Sequence, residues 1–320
     1  MSTYQAAVSE GSSNITMQST LASVSVLIVI ITLFINRWIV SRGRYEIVQG
    51  RGAPAVPLRG RGGLLVALGA GVIVAISLLP LLTIIIGAFT RSRGPVMQWG
   101  EWTLENIVRV FLTAPAPLIN SLTYAGIATA VSVCFTTLAS YLIVKKPSIL
   151  TPWVDYLSAI PLALSGTVLG VGLLAAFNAS WLPLSGTGAI IVLAYVVRRM
   201  PFGMRGSQAA LLNIPNSLEE ASISLGSPPL RTFIRVVLPV MLPAIISAAI
   251  LTWTTTVAEL SASILVYSGG RETLTIQIFR LIDSGLMAYA SAYGVVLVSV
   301  ILIPIVAASK LFGVDVFASK

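Results

Sequence analysis

The stretch Leu211-Leu212-Asn213-Ile214-Pro215-Asn216-Ser217-Leu218-Glu219-Glu220-Ala221-Ser222-Ile223-Ser224-Leu225-Gly226 lies inside a polar, charged segment, residues 200–239. Apolar blocks flank it on both sides. Asn216 or Ser217 is a candidate helix N-cap, which brings Glu219 and Glu220 to the start of a helix, where the dipole favours negative charge. Gly226, followed by Pro228-Pro229, supplies a C-terminal glycine and a stop. A second helix is expected from Pro229 through Arg231, Phe233, Arg235 and Val236. Two short helices at an angle, carrying both charges and apolar side chains, form a knob suited to a groove on a soluble partner.

The rest of the chain explains why such a knob would stand alone. Of the 320 residues, 56% are hydrophobic and 10% are charged, with mean hydropathy +0.93. Soluble domains carry about 25% charged residues. The apolar residues arrive in long blocks, and blocks of about 18 or more read as membrane-spanning helices. Seven spans are expected, at residues 21–40, 64–89, 118–144, 151–177, 187–197, 240–266 and 289–309. The expected fold class is therefore an all-α polytopic membrane protein. The net charge of +9 resides in the loops, so it speaks for orientation and not for nucleic acid.

Fifteen of the 20 lysines and arginines fall on one side of that alternating path, among them Arg37, Arg42, Arg59, Lys145, Arg199 and Arg235. Arg91, Arg93, Arg109, Arg271 and Arg280 fall on the other. The richer side should be cytoplasmic, with the N-terminus outside and the C-terminus inside. Two outer segments look structured. Residues 99–117 mix Trp99 and Trp102 with charges, as an interfacial stretch would. Residues 272–285 place Leu274, Ile278, Leu281 and Ile282 at helical spacing, as in a short surface helix. Residues 42–63 are rich in arginine, glycine and proline. They read as a cytoplasmic linker setting the first span apart from the other six.

No histidine occurs, which excludes histidine-based triads and histidine-ligated zinc. The one cysteine, Cys134, allows no internal disulfide and reads as a small buried hydrophobe. No metal site or cofactor is expected, and without a Walker A pattern the chain should bind no ATP of its own. Glu259 is the one acid deep in an expected span. An unpaired carboxylate in lipid is costly, so it should meet a partner or a wet cavity. Thr252, Thr255, Thr256, Glu259 and Ser263 share a helical face. They could line a translocation pathway. Alternatively, the hydroxyls bond their own helix and Glu259 is paired between helices. Asp155 reads as a helix-start charge near Lys145 and Lys146, and Gly170 and Gly172 as sites of close helix packing.

Glu220-Ala221-Ser222, three residues, Gly226, nine residues and Val236-Val237-Leu238-Pro239 together resemble the EAA loop of ABC importer permeases. That pattern is Glu-Ala-Ala, three residues, Gly, nine residues, Ile, one residue, Leu-Pro. Ser222 and Val236 are the two departures. The resemblance covers roughly residues 64–311. Residues 160–170 and Tyr195, Arg198, Met200-Pro201-Phe202 and Arg205 are similar to the stretches that lead into such loops. Ala258-Glu259-Leu260-Ser261-Ala262-Ser263 is most similar to the ferric iron branch, whose fused members carry two permease halves on one chain.

The resemblance implies a type I importer unit of six helices over residues 64–320. Residues 1–63 would be the last span and linker of a preceding half. It implies a non-enzymatic subunit of the cell (inner) membrane that transports ferric iron. The same loop occurs in phosphonate, thiamine, polyamine, sulfate and molybdate permeases. The implied partners are a dimer of ATP-binding subunits, an extracytoplasmic solute-binding protein, a second permease half and membrane lipid. Contact with the ATPase would fall to Glu219, Glu220, Ala221, Ser222, Gly226, Arg231, Leu238 and Pro239. A scaffold half without transport, or a membrane enzyme, are the rival readings. The latter lacks the paired titratable groups that acid–base chemistry requires.

Overall fold

The structure is a computed structural model describing residues 61–178 and 182–312, together with Ser23, Val24, Leu27, Ile28, Ile31 and Ile35, which are helical and exposed. The rest of the first expected span and the linker up to residue 60 lie outside the described residues.

Helix α1, Arg61–Phe89, is apolar on every side and exposed along most of its length. Such a helix suits lipid surroundings and not water. It touches the rest of the bundle chiefly near its end. There Gly87 leaves no room for a Cβ beside Ser291, and Gly294 faces Ile84. Small residues of this kind let membrane helices approach closely. Strands β1 (Thr90–Arg93) and β2 (Val96–Trp102) form an antiparallel hairpin whose turn uses Gly94 at φ 61°. This small hairpin leads into the stretch 99–117, which was expected to be structured at the interface. A short helix, α2 (Glu105–Val108), follows, and Asn106 donates to the carbonyls of Ala88 and Thr90 at 2.9 Å each.

Helix α3, Ala116–Lys145, is the longest described helix at 30 residues. The span expected at 151–177 is two helices, α4 (Thr151–Ala163) and α5 (Gly166–Phe177), bent by 113°. Local sequence accounts for the break. Pro161 removes a backbone donor, Leu164 is extended, and Ser165 caps α5 by accepting from the Val168 N–H at 3.2 Å. The short fifth span is the start of a longer helix, α6 (Gly188–Leu212), which extends far into the expected cytoplasmic loop. Helix α7 is Asn216–Ser224.

Helix α8, Pro229–Thr232, passes through a π-turn, Phe233–Val237, straight into α9, Leu238–Val257. The second half of the knob is thus the beginning of the sixth span and not a separate helix. Pro239 has no N–H for the Arg235 carbonyl, and the backbone widens just before it. The same span ends early, at Val257. A non-helical stretch leads to α10 (Ser263–Val266), and α11 (Leu274–Asp283) and α12 (Met287–Phe312) complete the bundle. Leu274, Ile278 and Leu281 of α11 pack into an apolar cluster with Ala88, Val110 and Tyr293. Among the described residues, four helices are long and apolar enough to cross a membrane, and the bent pair makes up to five. Cys134 is exposed rather than buried, in an apolar groove between α3 and α9.

Candidate functional site: the exposed helix α7 and its anchor

Helix α7 starts one residue earlier than a side-chain cap at Asn216 would set it. Pro215, extended at ψ 141°, holds the N-cap position, and no side-chain cap forms there. The Asn216 side chain instead accepts from the Lys145 ammonium at 2.7 Å. At the other end Gly226 adopts φ 85°, the left-handed conformation that disfavours any residue with a Cβ. The Ser227 N–H bonds the Ser222 carbonyl at 3.1 Å and the Gly226 N–H bonds the Ile223 carbonyl at 2.9 Å. This is the Schellman pair of bonds that satisfies the last carbonyls of a helix.

The two adjacent glutamates face opposite ways. Glu219 points into the protein: Tyr141 Oη donates to its Oε2 at 3.0 Å, and Lys145 Nζ stands 3.4 Å from its Oε1. Lys145 also donates to the Ile214 carbonyl at 2.8 Å. Its side chain is only 6% exposed and that of Glu219 is 12% exposed. Tyr141 also stacks on Phe233, with ring centroids 4.5 Å apart. Tyr141, Leu211, Ile214, Val237 and Met241 form an apolar cluster at the foot of α7. Glu220 and Ala221 point outward, and the exposed rim carries Leu218, Ile223, Leu225 and Leu230, with Leu225 89% exposed. Ser222 is half-buried and its hydroxyl is 2.9 Å from that of Thr232, bracing α7 against α8. Arg231 and Pro239 are exposed, and Leu238 is half-buried. A firmly anchored helix therefore presents an apolar rim with one free carboxylate, which suits docking rather than catalysis.

Deeper in the bundle, Thr252, Thr256, Glu259 and Ser263 are buried within the chain and Thr255 is half-buried. Glu259 is 4% exposed. Its Oε2 accepts from Arg198 Nε at 2.8 Å and from Arg199 Nη2, and its Oε1 accepts from the Ala262 N–H at 3.2 Å. Its own carbonyl accepts from Ser263 Oγ and Thr275 Oγ1, both at 2.9 Å. Thr255 Oγ1 bonds the Leu251 carbonyl of its own helix. Arg198 Nη1 reaches the Leu164 carbonyl at 3.3 Å, and Arg199 reaches the Thr255 carbonyl. The bonding pattern is thus one of pairing between helices. Two arginines on α6 bind both interruptions of the bundle, the α4–α5 bend and the α9–α10 break. Gly166 sits where these breaks touch, with no room for a Cβ beside Ser261, Ala262 and Arg198. Gly170 is similarly close to Ala262 and Leu265, whereas Gly172 faces open space. Asp155 accepts from Gln208 Nε2 at 2.8 Å and pairs with Arg205 at 3.4 Å, joining α4 to α6.

The sequence pattern does not single out Tyr141, Lys145 or Arg199 as site residues. Lys145 and Arg199 read there as orienting charges. For Arg199 a signal is available, because an acid deep in an expected span, Glu259, needs a cation within reach; for Lys145 and Tyr141 none is, because Glu219 and Glu220 look alike in sequence.

Comparison with known proteins places these features in context. The family described as binding-protein-dependent transport system inner membrane component matches residues 59–313. The ferric transport system permease protein FbpB of Actinobacillus pleuropneumoniae is 32% identical over 228 residues, covering 69% of this chain and 32% of that protein. The chain thus spans about a third of the length of that relative. The molybdate/tungstate transport system permease protein WtpB of Pyrococcus abyssi is 28% identical over 165 residues, 51% of this chain and 65% of that one. Among solved structures, a bacterial ABC transporter involved in the import of the acidic polysaccharide alginate superposes with a TM-score of 0.62. It covers 78% of this chain and 96% of its own at 17% identity, a likeness of fold.

Proposed function

The chain belongs to the family of binding-protein-dependent transport system inner membrane components, and from that premise we propose that it is the membrane-spanning permease subunit of an ATP-driven importer. The observation that carries this reading is α7. It is exposed on its outer rim, held at its base by Lys145 and Tyr141, and ended by a left-handed glycine. Such a helix is built to be pushed. An ATP-binding subunit gripping Glu220, Ala221 and the Leu218–Ile223–Leu225 rim would bias the bundle between two openings, since a ligand moves a two-state element only by contacting its states differently. Ferric iron is the proposed solute, on the likeness to the ferric permease. Oxyanion import is the second reading, on the likeness to the molybdate/tungstate permease.

Residues 64–320 form the permease unit in this reading. Residues 1–63 supply one more span and a linker from a preceding half, which accords with a match to only part of the ferric permease's length. The α7 end faces the cytoplasm, the N-terminus lies outside, and the chain sits in the inner membrane. A second half, an extracytoplasmic solute-binding protein and a pair of ATP-binding subunits complete the assembly, and ATP hydrolysis belongs to those subunits. Gly226→Asp tests the core of this reading. It forces a Cβ into φ 85°, at a cost of roughly 1–2 kcal/mol confined to the helix end. Co-purification from detergent should then lose the ATP-binding subunit while the permease elutes as a folded species. Retention of both the subunit and solute-stimulated ATP hydrolysis would count against α7 as the docking element.

A further inference from the structure

We infer that Lys145 and Tyr141 are positioning residues that couple α7 to α3, so that displacement of α7 is delivered to α3 as well as to its chain neighbours. This inference rests on the permease reading above and names the joint through which it operates.

The covalent connections of α7 are poor transmitters. On one side lies the turn Asn213–Pro215, and on the other Gly226 at φ 85° leads to Pro228. Both are places where the backbone changes direction, and a push on α7 could be absorbed there as rotation. The side chains bridge one of these bends. One ammonium, Lys145 Nζ, meets the Ile214 carbonyl before the helix, Asn216 Oδ1 at its first residue and Glu219 Oε1 one turn on. Tyr141, one turn back along α3, donates to the other oxygen of Glu219 and stacks on Phe233 at the start of the next span. The end of α3 thereby fixes α7 and the α8–α9 junction at once. The charged groups are largely enclosed, so removal of either partner leaves the other desolvated without compensation.

Helix α3 is in turn locked to α6. Gly203 has no Cβ because Thr136 fills that space, and Ser140 Oγ donates to the Met204 carbonyl at 3.2 Å. Interlocked helices of this kind are bistable as a unit rather than continuously deformable. The α6 partner carries Arg198 and Arg199, which hold both breaks in the bundle through Glu259 and Leu164. Movement entering at α7 therefore reaches the middle of the bundle through a continuous set of packed and bonded groups.

The test uses the full complex with its ATP-binding subunits, with Cys134→Ser as background. Spin labels report two distances, Leu225→Cys on α7 and Leu142→Cys on α3, each measured to Lys310→Cys on α12, with and without ATP and vanadate. The wild-type background should show an ATP-dependent shift at both labels. With Lys145→Met the α7 shift should remain and the α3 shift should be lost, and Lys145→Arg should restore it. If Lys145→Met does not assemble, Tyr141→Phe, which removes one hydroxyl and keeps the stack on Phe233, is read in the same way. An α3 shift that persists in the Met variant, or a loss of both shifts together, overturns the joint. An absence of any shift in the wild-type complex overturns the ATP-driven permease reading instead.

Discussion

Glu259 concentrates more of the fold than any other described side chain. Its carboxylate takes two guanidinium groups and a backbone N–H, and its carbonyl takes two hydroxyls from separate segments. With two arginines and one acid, the cluster carries a net positive charge. Glu259→Gln keeps the size of the side chain but leaves both arginines without a counter-ion. Breaking a buried pair in this way typically costs about 3–5 kcal/mol. The unfolding temperature of the detergent-solubilised protein should fall clearly. Adding Arg199→Met should recover part of the loss, because contacting residues couple by about 0.5–3 kcal/mol. A double-mutant cycle by thermal unfolding decides it, and strictly additive effects would show that the acid and the arginine do not depend on each other. Transport that survives Glu259→Gln would in addition remove Glu259 from any contact with the solute.

At the scale of elements, α3 and α6 are the rigid pair on which the rest is arranged. Their contact is set by missing side chains: a Cβ on Gly203 would lie 2.4 Å from Thr136 Oγ1, and one on Gly188 would lie 2.7 Å from the Tyr124 ring. Gly203→Val should therefore destabilise by about 1–3 kcal/mol through overpacking, whereas Gly172→Val, on a neighbouring helix with open space around it, should be close to neutral. Thermal unfolding of the two variants side by side checks the difference, and equal losses would mean that the α3–α6 contact is not tight. The helix positions themselves were legible in sequence, because apolar blocks of bilayer length announce themselves. The start of α8 at Pro229 and the left-handed Gly226 were legible for a similar reason: proline and glycine each restrict or free the backbone locally. The sharpness of the bend at Leu164 and the break after Val257 were not. Both lie within expected spans, and although Pro161 and Ser165 mark the first locally, the arginines that bind the two breaks together, Arg198 and Arg199, come from a different helix. The inward turn of Glu219 was hidden likewise. Two adjacent glutamates look alike in sequence, and only the arrival of Lys145 and Tyr141 from α3 separates the anchored one from the free one.

For the molecule as a whole, the lateral faces are not equivalent. Along α1 the exposed surface is uniformly apolar, as a lipid-facing helix requires. Between α6 and α9 lies a groove of about 490 Å³ lined by Leu162, Phe202, Arg205, Ser247, Ala248 and Leu251. Arg205 is 61% exposed there, with Asp155 at 3.4 Å. Arg205 lies where α6 passes into the expected cytoplasmic loop, and a guanidinium so exposed faces water or protein rather than acyl chains. On the proposed permease reading, the groove should therefore turn towards a second permease half and the wet space between the halves, while α1 stays at the periphery. Cysteine accessibility separates the two faces. In a Cys134→Ser background, Ser247→Cys in the groove should react with a charged, membrane-impermeant thiol reagent in open vesicles. Ile73→Cys on α1, more exposed within this chain than Ser247 but lipid-facing, should not. The Ser247 reaction should also slow when the complex is trapped with ATP and vanadate, because closing one opening alters the water that reaches this face. Equal reactivity at the two positions would mean that lipid covers the groove, and the second half would then have to dock elsewhere on the bundle.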